Sequence, residues 1–232
     1  MAQAALGALD LVPGRSGPAI IAHRAGNSLQ GAHDYLEAGA DYLEVDIWLH
    51  EGHFEARHER RMHRLPLLFE KWYLRRVPSA RYGLSELLAE TAGRGAGIFL
   101  DLKSGGASAA SLLRRLLAET RHPERIVASS QSWTTLRAVR ELAPEIDAFY
   151  SIDVRSKLDL FLSVLDRDLR PRGVSCKQVL LTRRTVEALH ERGMLVVAWT
   201  VDDIARAHEL VSWGVDAITT DKVREMRREF VS

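Results

Sequence analysis

The sequence predicts an α/β fold, a closed (β/α)8 barrel built as a single domain. Three observations carry that expectation. Runs rich in β-formers alternate with helical runs along the chain, the pattern of parallel βαβ units. Eight such pairs can be read off. The 232 residues also suit eight closed units, which typically occupy ~250, whereas an open doubly wound sheet of this length normally has fewer strands. Right-handed crossovers then follow.

The predicted strands are 19–24, 42–50, 97–103, 125–130, 147–152, 173–178, 195–201 and 217–221. The predicted helices are 28–38, 84–91, 107–119, 133–142, 154–168, 182–191, 203–212 and 222–230, and the Leu-rich 112–117 reads as a core-facing helix surface. No repeat, low-complexity tract or linker divides the chain, so 1–232 is expected to form one domain. The irregular stretch 51–82 is expected to be a short insertion after the second strand, a basic and partly apolar flap over one mouth of the barrel.

Composition narrows the function classes. Charged residues are 27% and hydrophobic residues 46%, which excludes a disordered or fibrous chain. A net charge of +1 shows no global bias towards nucleic acid. The single cysteine, Cys176, excludes an intramolecular disulfide framework and a Cys-rich zinc site. No apolar run approaches the ~18 residues of a membrane span. Residues 1–18 show no basic n-region, and the apolar stretch 4–12 is interrupted by Gly7 and Asp10, so a cytoplasmic location is expected. Asn27 is the only asparagine in a chain of 27 arginines and 5 lysines, a bias that a GC-rich genome explains.

The chemistry sits at the strand ends. Side chains alternate along a strand, so Leu43, Val45, Ile47 and Leu49 share a face suited to helices. Tyr42, Glu44, Asp46 and Trp48 then point into the barrel. Two carboxylates inside a barrel repel each other and resist desolvation, and a cation between them removes both objections. Pairing with the plentiful arginines is the alternative. The third strand repeats the pattern, with Phe99, Asp101 and Lys103 inward, so Asp101 can supply a third carboxylate. Oxygen ligands without cysteine favour one divalent cation, Mg2+ or Ca2+, over zinc. Lys103 can neutralise an anionic substrate or simply pair with Asp101.

His23 ends the first strand, at the face where barrels of this class carry their chemistry. His58 follows the second strand. Two histidines flanking a carboxylate cluster can divide proton acceptance and donation between them. His50, His53 and His63 are close in sequence and compete for the role. His122, His190 and His208 read as helix or loop residues with no partner. No phosphate-cradling Gly-rich loop and no nucleophile elbow are present.

These residues resemble a known family. Ile21-Ala22-His23-Arg24 is similar to the opening motif of the glycerophosphodiester phosphodiesterases. Gly39-Ala40-Asp41-Tyr42-Leu43-Glu44-Val45-Asp46 resembles their GAD-x-x-E-x-D strand, 54–58 the strand before their second histidine, and Phe99-Leu100-Asp101-Leu102-Lys103 their third metal strand. Val197-Ala198-Trp199-Thr200-Val201-Asp202 and Gly214-Val215-Asp216-Ala217-Ile218-Thr219-Thr220-Asp221 resemble their WTVN and GVDGIITD signatures. The likeness implies a TIM barrel with a divalent cation on Glu44, Asp46 and Asp101, and His23 and His58 as the acid–base pair. Arg24, Lys103 and Asn27 would meet the phosphate, and Trp199 would line the pocket. It further implies that a glycerol hydroxyl attacks phosphorus, an alcohol leaves and a cyclic phosphate is hydrolysed to glycerol 3-phosphate.

The chain departs from that family at several positions. Ala25 follows Arg24 where glycine is usual, and the Pro-Glu-Asn-Thr of the family's first loop becomes Ala25-Gly26-Asn27-Ser28, in a loop about six residues shorter. Ser28 can cap the following helix as threonine would. Asp101 stands where glutamate is commoner, Glu59 where aspartate is usual, and Arg64 matches a frequent arginine. The short first loop and the Asp-Leu-Lys strand are similar to the spider-venom phospholipase D relatives, which form cyclic phosphates, but their Cys-bridged loop is missing. Three functions therefore compete: hydrolysis of small glycerophosphodiesters, a lysophospholipase D-type reaction on a lysophospholipid with peripheral membrane contact through 57–82, and a barrel that binds a phosphorylated ligand without turnover.

Overall fold

The computed structural model describes residues 17–62, 65–70, 72–78, 82–165 and 171–231. In chain order the strands are β1 (Ala19–Ala22), β2 (Tyr42–His50), β3 (His53–Ala56), β4 (Arg60–Arg61), β5 (Leu67–Glu70), β6 (Tyr73–Arg76), β7 (Gly97–Leu102), β8 (Ile126–Ser130), β9 (Asp147–Ile152), β10 (Gly173–Lys177), β11 (Leu195–Trp199) and β12 (Ala217–Thr220). The helices are α1 (Leu29–Glu37), α2 (Leu84–Thr91), α3 (Gly106–Leu117), α4 (Trp133–Leu142), α5 (Arg155–Val164), α6 (Arg183–His190), α7 (Ile204–Ser212) and α8 (Val223–Phe230).

Strands β1, β2 and β7 to β12 pair in parallel in that order, and β12 returns to β1 through Ala19↔Ala217 to Ala22↔Thr220. The closed eight-stranded barrel expected from the alternating pattern is therefore present. Side chains cap several of its helices. Ser28 accepts from the Gly31 N–H as expected, and Ser132, Thr182 and Asp203 do the same for α4, α6 and α7.

Two apolar layers fill the fold. One lies between strands and helices and contains Leu43, Val45 and Ile47 of β2, as their alternation requires. The other plugs the barrel interior with Ile21, Tyr42, Phe99, Val127, Phe149 and Val197 among others. Phe99 and Phe149 meet there with ring centroids 5.8 Å apart. Glycines make room for the rings: a Cβ on Gly97 would lie 2.3 Å from Tyr42 Cε1, and one on Gly173 2.5 Å from Phe149 Cε1. Above this floor the inward positions turn polar, and the site begins.

The structure differs from the sequence expectations in three places. The first strand stops at Ala22, because Arg24 takes a left-handed conformation (φ 52°) and Ala25–Asn27 form a 3-10 turn. The described residues of 51–82 are largely strands and tight turns. Glu51 and Gly52 both have positive φ, as a two-residue hairpin turn demands, and fold β3 back onto β2. β4, β5 and β6 then form a separate antiparallel sheet. Its strands have only two to four residues and mix arginine with leucine, so no alternation stands out. Trp48, expected inside, lies beyond the rim, where β2 pairs with β3 and the Arg57 guanidinium sits 5.4 Å from its ring centroid.

Residues 1–16, which held the reading of the N-terminus, and Arg64 and His63 lie outside the described residues, as does the end of the helix expected at 154–168. No helix among the described residues is long and apolar enough to cross a membrane.

The floor packing generates a test. Gly97→Ala should cost about 1–3 kcal/mol by overpacking against Tyr42 and against the Arg125 carbonyl oxygen, 2.7 Å from the added Cβ. At roughly 2–4 °C per kcal/mol for a chain of this size, thermal unfolding should report it directly. An unchanged Tm would show that the Tyr42 ring and the Arg125 carbonyl both give way freely.

Candidate active site

At the C-terminal end of the barrel lies an open cavity of about 310 Å3. His23, Arg24, Glu44, Asp46, His58, Asp101, Lys103 and Trp199 line it, together with Ser129, Gln131, Ser151, Asp153, Ser175 and Thr219. A larger cavity of about 420 Å3 lies at the opposite end, by the last turns of α2 and α3, but it contains none of the buried carboxylates.

β2 and β7 build the centre. Their register sets Asp46 beside Asp101, with Glu44 two residues below on β2. One oxygen from each of Glu44, Asp46 and Asp101 lies within 4.8 Å of the others. Glu44 and Asp46 are buried. The left-handed Arg24 turns its backbone N–H onto Glu44 Oε2 at 2.6 Å. Asn27 donates its amide nitrogen to Asp46 Oδ2 at 2.7 Å, and its amide oxygen accepts from the Asp46 N–H at 2.8 Å. Lys103 Nζ lies 2.7 Å from Asp46 Oδ1 and also donates to Asp101 Oδ2.

The electrostatics are unbalanced. Burial, reinforced by Asp46 and Asp101, pushes the Glu44 carboxyl well above the usual glutamate range. Burial also raises Asp101, against the pull of Lys103. For Asp46 burial acts in the same direction, but Lys103 and Asn27 outweigh it and hold the carboxyl below its ordinary value. Burial works against the Lys103 ammonium, and the two aspartates overcome it. With all three acids ionised, Lys103 leaves a local excess of two negative charges on oxygen donors. That charge and donor chemistry fit a hard divalent cation.

Each flanking histidine has a carboxylate behind it. Ala22 pairs with Thr220, so the next residues, His23 and Asp221, stand side by side, with His23 Nδ1 2.9 Å from Asp221 Oδ1. His58 Nδ1 lies 2.8 Å from Glu70 Oε1, which β5 supplies. Glu70 also accepts from Tyr73 Oη at 3.0 Å and lies 3.7 Å from Arg24 Nη2. Burial alone would raise Glu70, but the Tyr73 hydrogen bond and the charges of His58 and Arg24 hold it below the usual range. Nδ1 is hydrogen-bonded in His23 and in ion-pair contact in His58, so Nε2 is the nitrogen left for chemistry in each ring.

Eight of the nine residues singled out in the sequence line this mouth. The exception is Asn27: both ends of its amide are committed to Asp46, so it clamps that carboxylate and does not face the cavity. Lys103, expected at a phosphate, is bonded between two acids, which is the ion pair the sequence left open, while still on the cavity wall. The Trp199 indole N–H is buried without a hydrogen-bond partner among the described residues. His50 lies 3.5 Å from Glu51, away from the site. His122, His190 and His208, read as partnerless, each meet a nearby carboxylate: Glu124, Asp216 and Glu229.

Sequence reasoning missed Asp221 and Glu70 as histidine partners. The closure of the barrel could have found Asp221, because first and last strands must be neighbours. Nothing in the sequence marks Glu70, whose position depends on the fold of the small sheet.

Comparison with known proteins agrees with this geometry. The sequence profile of the glycerophosphoryl diester phosphodiesterase family matches residues 103–225, just over half of the chain. The match begins at Lys103, so most of the carboxylates and both histidines rest on the geometry above. No curated protein matches the chain in sequence. Solved structures share the fold. A phosphodiesterase from Oleispira antarctica, in complex with the product sn-glycerol-3-phosphate, is 21% identical with a TM-score of 0.77, covering 93% of this chain and 98% of its own. A glycerophosphodiester phosphodiesterase from Parabacteroides distasonis is also 21% identical, with a TM-score of 0.76 over 94% and 98%. One from Thermotoga maritima is 18% identical, with a TM-score of 0.70 over 91% and 98%.

The crowded carboxylates make a signed prediction. Glu44→Gln keeps an acceptor for the Arg24 N–H but removes a charge that its surroundings disfavour. In EDTA the variant should melt higher than the parent, by roughly 2–4 °C per kcal/mol of repulsion relieved. It should also lose the upshift that Mg2+ or Ca2+ gives the parent, about 2.7 kcal/mol at a hundredfold excess over Kd. Glu44 titrates higher folded than unfolded, so the folded state holds a proton that the unfolded chain has released. Parent stability in EDTA should therefore fall as pH rises from the ordinary glutamate range through the raised value, and the variant should lack that slope. A variant that melts lower in EDTA, or still responds to the cation, overturns the assignment.

Proposed function

The chain belongs to the glycerophosphoryl diester phosphodiesterase family, whose members are phosphoric diester hydrolases, and from that premise we propose that it hydrolyses a glycerophosphodiester to glycerol 3-phosphate and an alcohol, using one divalent cation, Mg2+ or Ca2+. One observation carries the reading: three clustered carboxylates, two of them buried, share the open end of the barrel with two histidines, each backed by a carboxylate.

Glu44, Asp46 and Asp101 would hold the cation, which when bound supplies positive charge against the phosphoryl oxygens. Arg24 and Lys103 on the same wall add fixed positive charge for the diester anion. One histidine takes the proton from a glycerol hydroxyl through Nε2 as that oxygen bonds to phosphorus. The other gives its Nε2 proton to the departing alcohol oxygen as its bond to phosphorus breaks, leaving a cyclic phosphate. Water then opens the ring with the proton roles reversed, and the products are a monoester and the free alcohol. Asp221 and Glu70 keep each ring oriented and stabilise its protonated form, the task that a buried carboxylate performs for a catalytic histidine. Two such pairs on either side of one carboxylate cluster favour turnover over binding alone.

A second reading has its own observation. Trp72, in the turn between β5 and β6, and Leu74 on β6 are exposed beside the mouth, which suits a diester whose glycerol carries an acyl chain. Phosphorus-31 NMR on glycerophosphocholine, glycerophosphoethanolamine and lysophosphatidylcholine, in EDTA and then with Mg2+ or Ca2+, separates the two. The expected result is cation-dependent loss of a diester signal, with the product shift distinguishing monoester from cyclic phosphate. A folded sample that turns over no diester with either cation refutes the proposal.

The histidine partner is tested separately. His58→Ala should lower kcat by about 10²–10⁴. Glu70→Gln should lower it by a smaller factor, about ten- to a hundredfold, with KM little changed, and Glu70→Asp should recover part of the loss. Equal kcat in Glu70→Gln and the parent would remove Glu70 from the mechanism.

A further inference from the structure

We propose that the outward face of the β4–β5–β6 sheet docks on an anionic lipid surface. The register of the sheet sorts its side chains, because directly opposed residues in antiparallel strands share a face. Leu68 stands opposite Arg61 and Arg75, and Glu70 opposite Tyr73. That face turns to the barrel: Leu68 is buried, Glu70 reaches His58, and both arginines are neutralised, Arg61 by Glu55 and Arg75 by Glu59. On the other face Phe69 stands opposite Arg60 and Leu74, and Leu67 opposite Arg76. Neither Arg60 nor Arg76 has an acidic partner among the described residues. Trp72, 95% exposed, sits in the turn between β5 and β6, next to Leu74 at 61%.

An apolar centre with an aromatic tip and uncompensated arginines at its margins matches a lipid interface. Indole rings settle at headgroup level, and arginines are drawn to anionic headgroups. The charge is local: residues 55–82 carry eight basic and three acidic side chains, in a chain whose net charge is +1, and Arg57, Arg61 and Arg75 are the ones paired with Glu55 and Glu59. A second copy of the chain fits less well. The edge strand β6 presents Arg76 on this face, and a twofold contact through it would bring Arg60 and Arg76 against their like-charged copies. Because the inner face of the same sheet carries Glu70, docking would bring the lipid surface close to the cavity mouth. Only this last consequence rests on the phosphodiesterase reading; the docking itself does not.

Sedimentation with phosphatidylcholine vesicles, with and without phosphatidylglycerol, tests the proposal. The wild-type protein should sediment with the anionic vesicles only, and less so as salt is raised. Arg60→Glu with Arg76→Glu should weaken that partition by about 25-fold, at about fivefold or more per arginine. Trp72→Ser with Leu74→Ser should weaken it as well. None of these four side chains lines the cavity, so all variants should cleave a soluble glycerophosphodiester at the wild-type rate, which also verifies their folding. Failure of the wild-type protein to sediment, equal binding to neutral vesicles, or a vesicle-free dimer abolished by Trp72→Ser would each overturn the docking. Turnover without vesicle binding refutes the docking alone, and vesicle binding without turnover refutes the hydrolase reading alone.

Discussion

Three carboxylates forced together in a desolvated barrel mouth are the constraint on which the rest of the site depends. Glu44 and Asp46 are nearly inaccessible to solvent, and burial with the neighbouring acids disfavours the ionised form of Glu44. Such a cluster is tolerated only where fixed dipoles and positive charge surround it. Three features nearby supply them. Arg24 adopts a left-handed backbone and thereby points an N–H at Glu44. Asn27 spends its whole amide on Asp46. Lys103 spans two of the acids. Lysine alone leaves the balance at two negative charges, and this deficit makes a divalent cation the natural complement.

The scaffold beneath has a different job. Tyr42, Phe99 and Phe149 close the barrel interior below the acids, and Gly97 and Gly173 leave space for the rings. A dry, close-packed floor fixes β2 and β7 against each other, and their register decides that Asp46 and Asp101 face one another. Rigidity below and polarity above are thus consequences of one alternating pattern. The inward residues change from apolar to acidic within a single pleat, between Tyr42 and Glu44 on β2 and between Phe99 and Asp101 on β7.

That pattern explains how much could be read in advance. Alternation along β2 and β7 exposed Glu44, Asp46 and Asp101, because the barrel imposes a strict inside and outside on those strands. The eight strand–helix pairs were legible for the same reason. What escaped notice lies where periodicity is lost. β4, β5 and β6 are too short to display a period, so the small sheet and the contribution of Glu70 to His58 depend on tertiary pairing alone. Trp48 kept the phase of its strand but lay past the rim, where inside no longer has a meaning. Asn27 was noticed as a solitary residue, yet its type could not reveal whether its amide would face a ligand or a carboxylate.

The first loop shows how tightly the acids and the backbone constrain each other. In the family motif a Pro-Glu occupies the positions that here read Ala25-Gly26. Ala25 is fully buried, and a Cβ on Gly26 would lie 2.7 Å from Val45 Cβ and 2.9 Å from Leu87 Cδ2. The loop is pressed so closely onto β2 and α2 that position 26 has no room for a glutamate. The same approach brings the Arg24 N–H within 2.6 Å of Glu44 and Asn27 within 2.7 Å of Asp46. The shortened loop therefore lacks that acidic side chain while it keeps the backbone and amide dipoles of Arg24 and Asn27 on the cluster. A fourth carboxylate would deepen the repulsion that Lys103 only partly offsets. Donors aimed at the existing carboxylates relieve it, and they leave three acids and one lysine arranged for a single doubly charged cation.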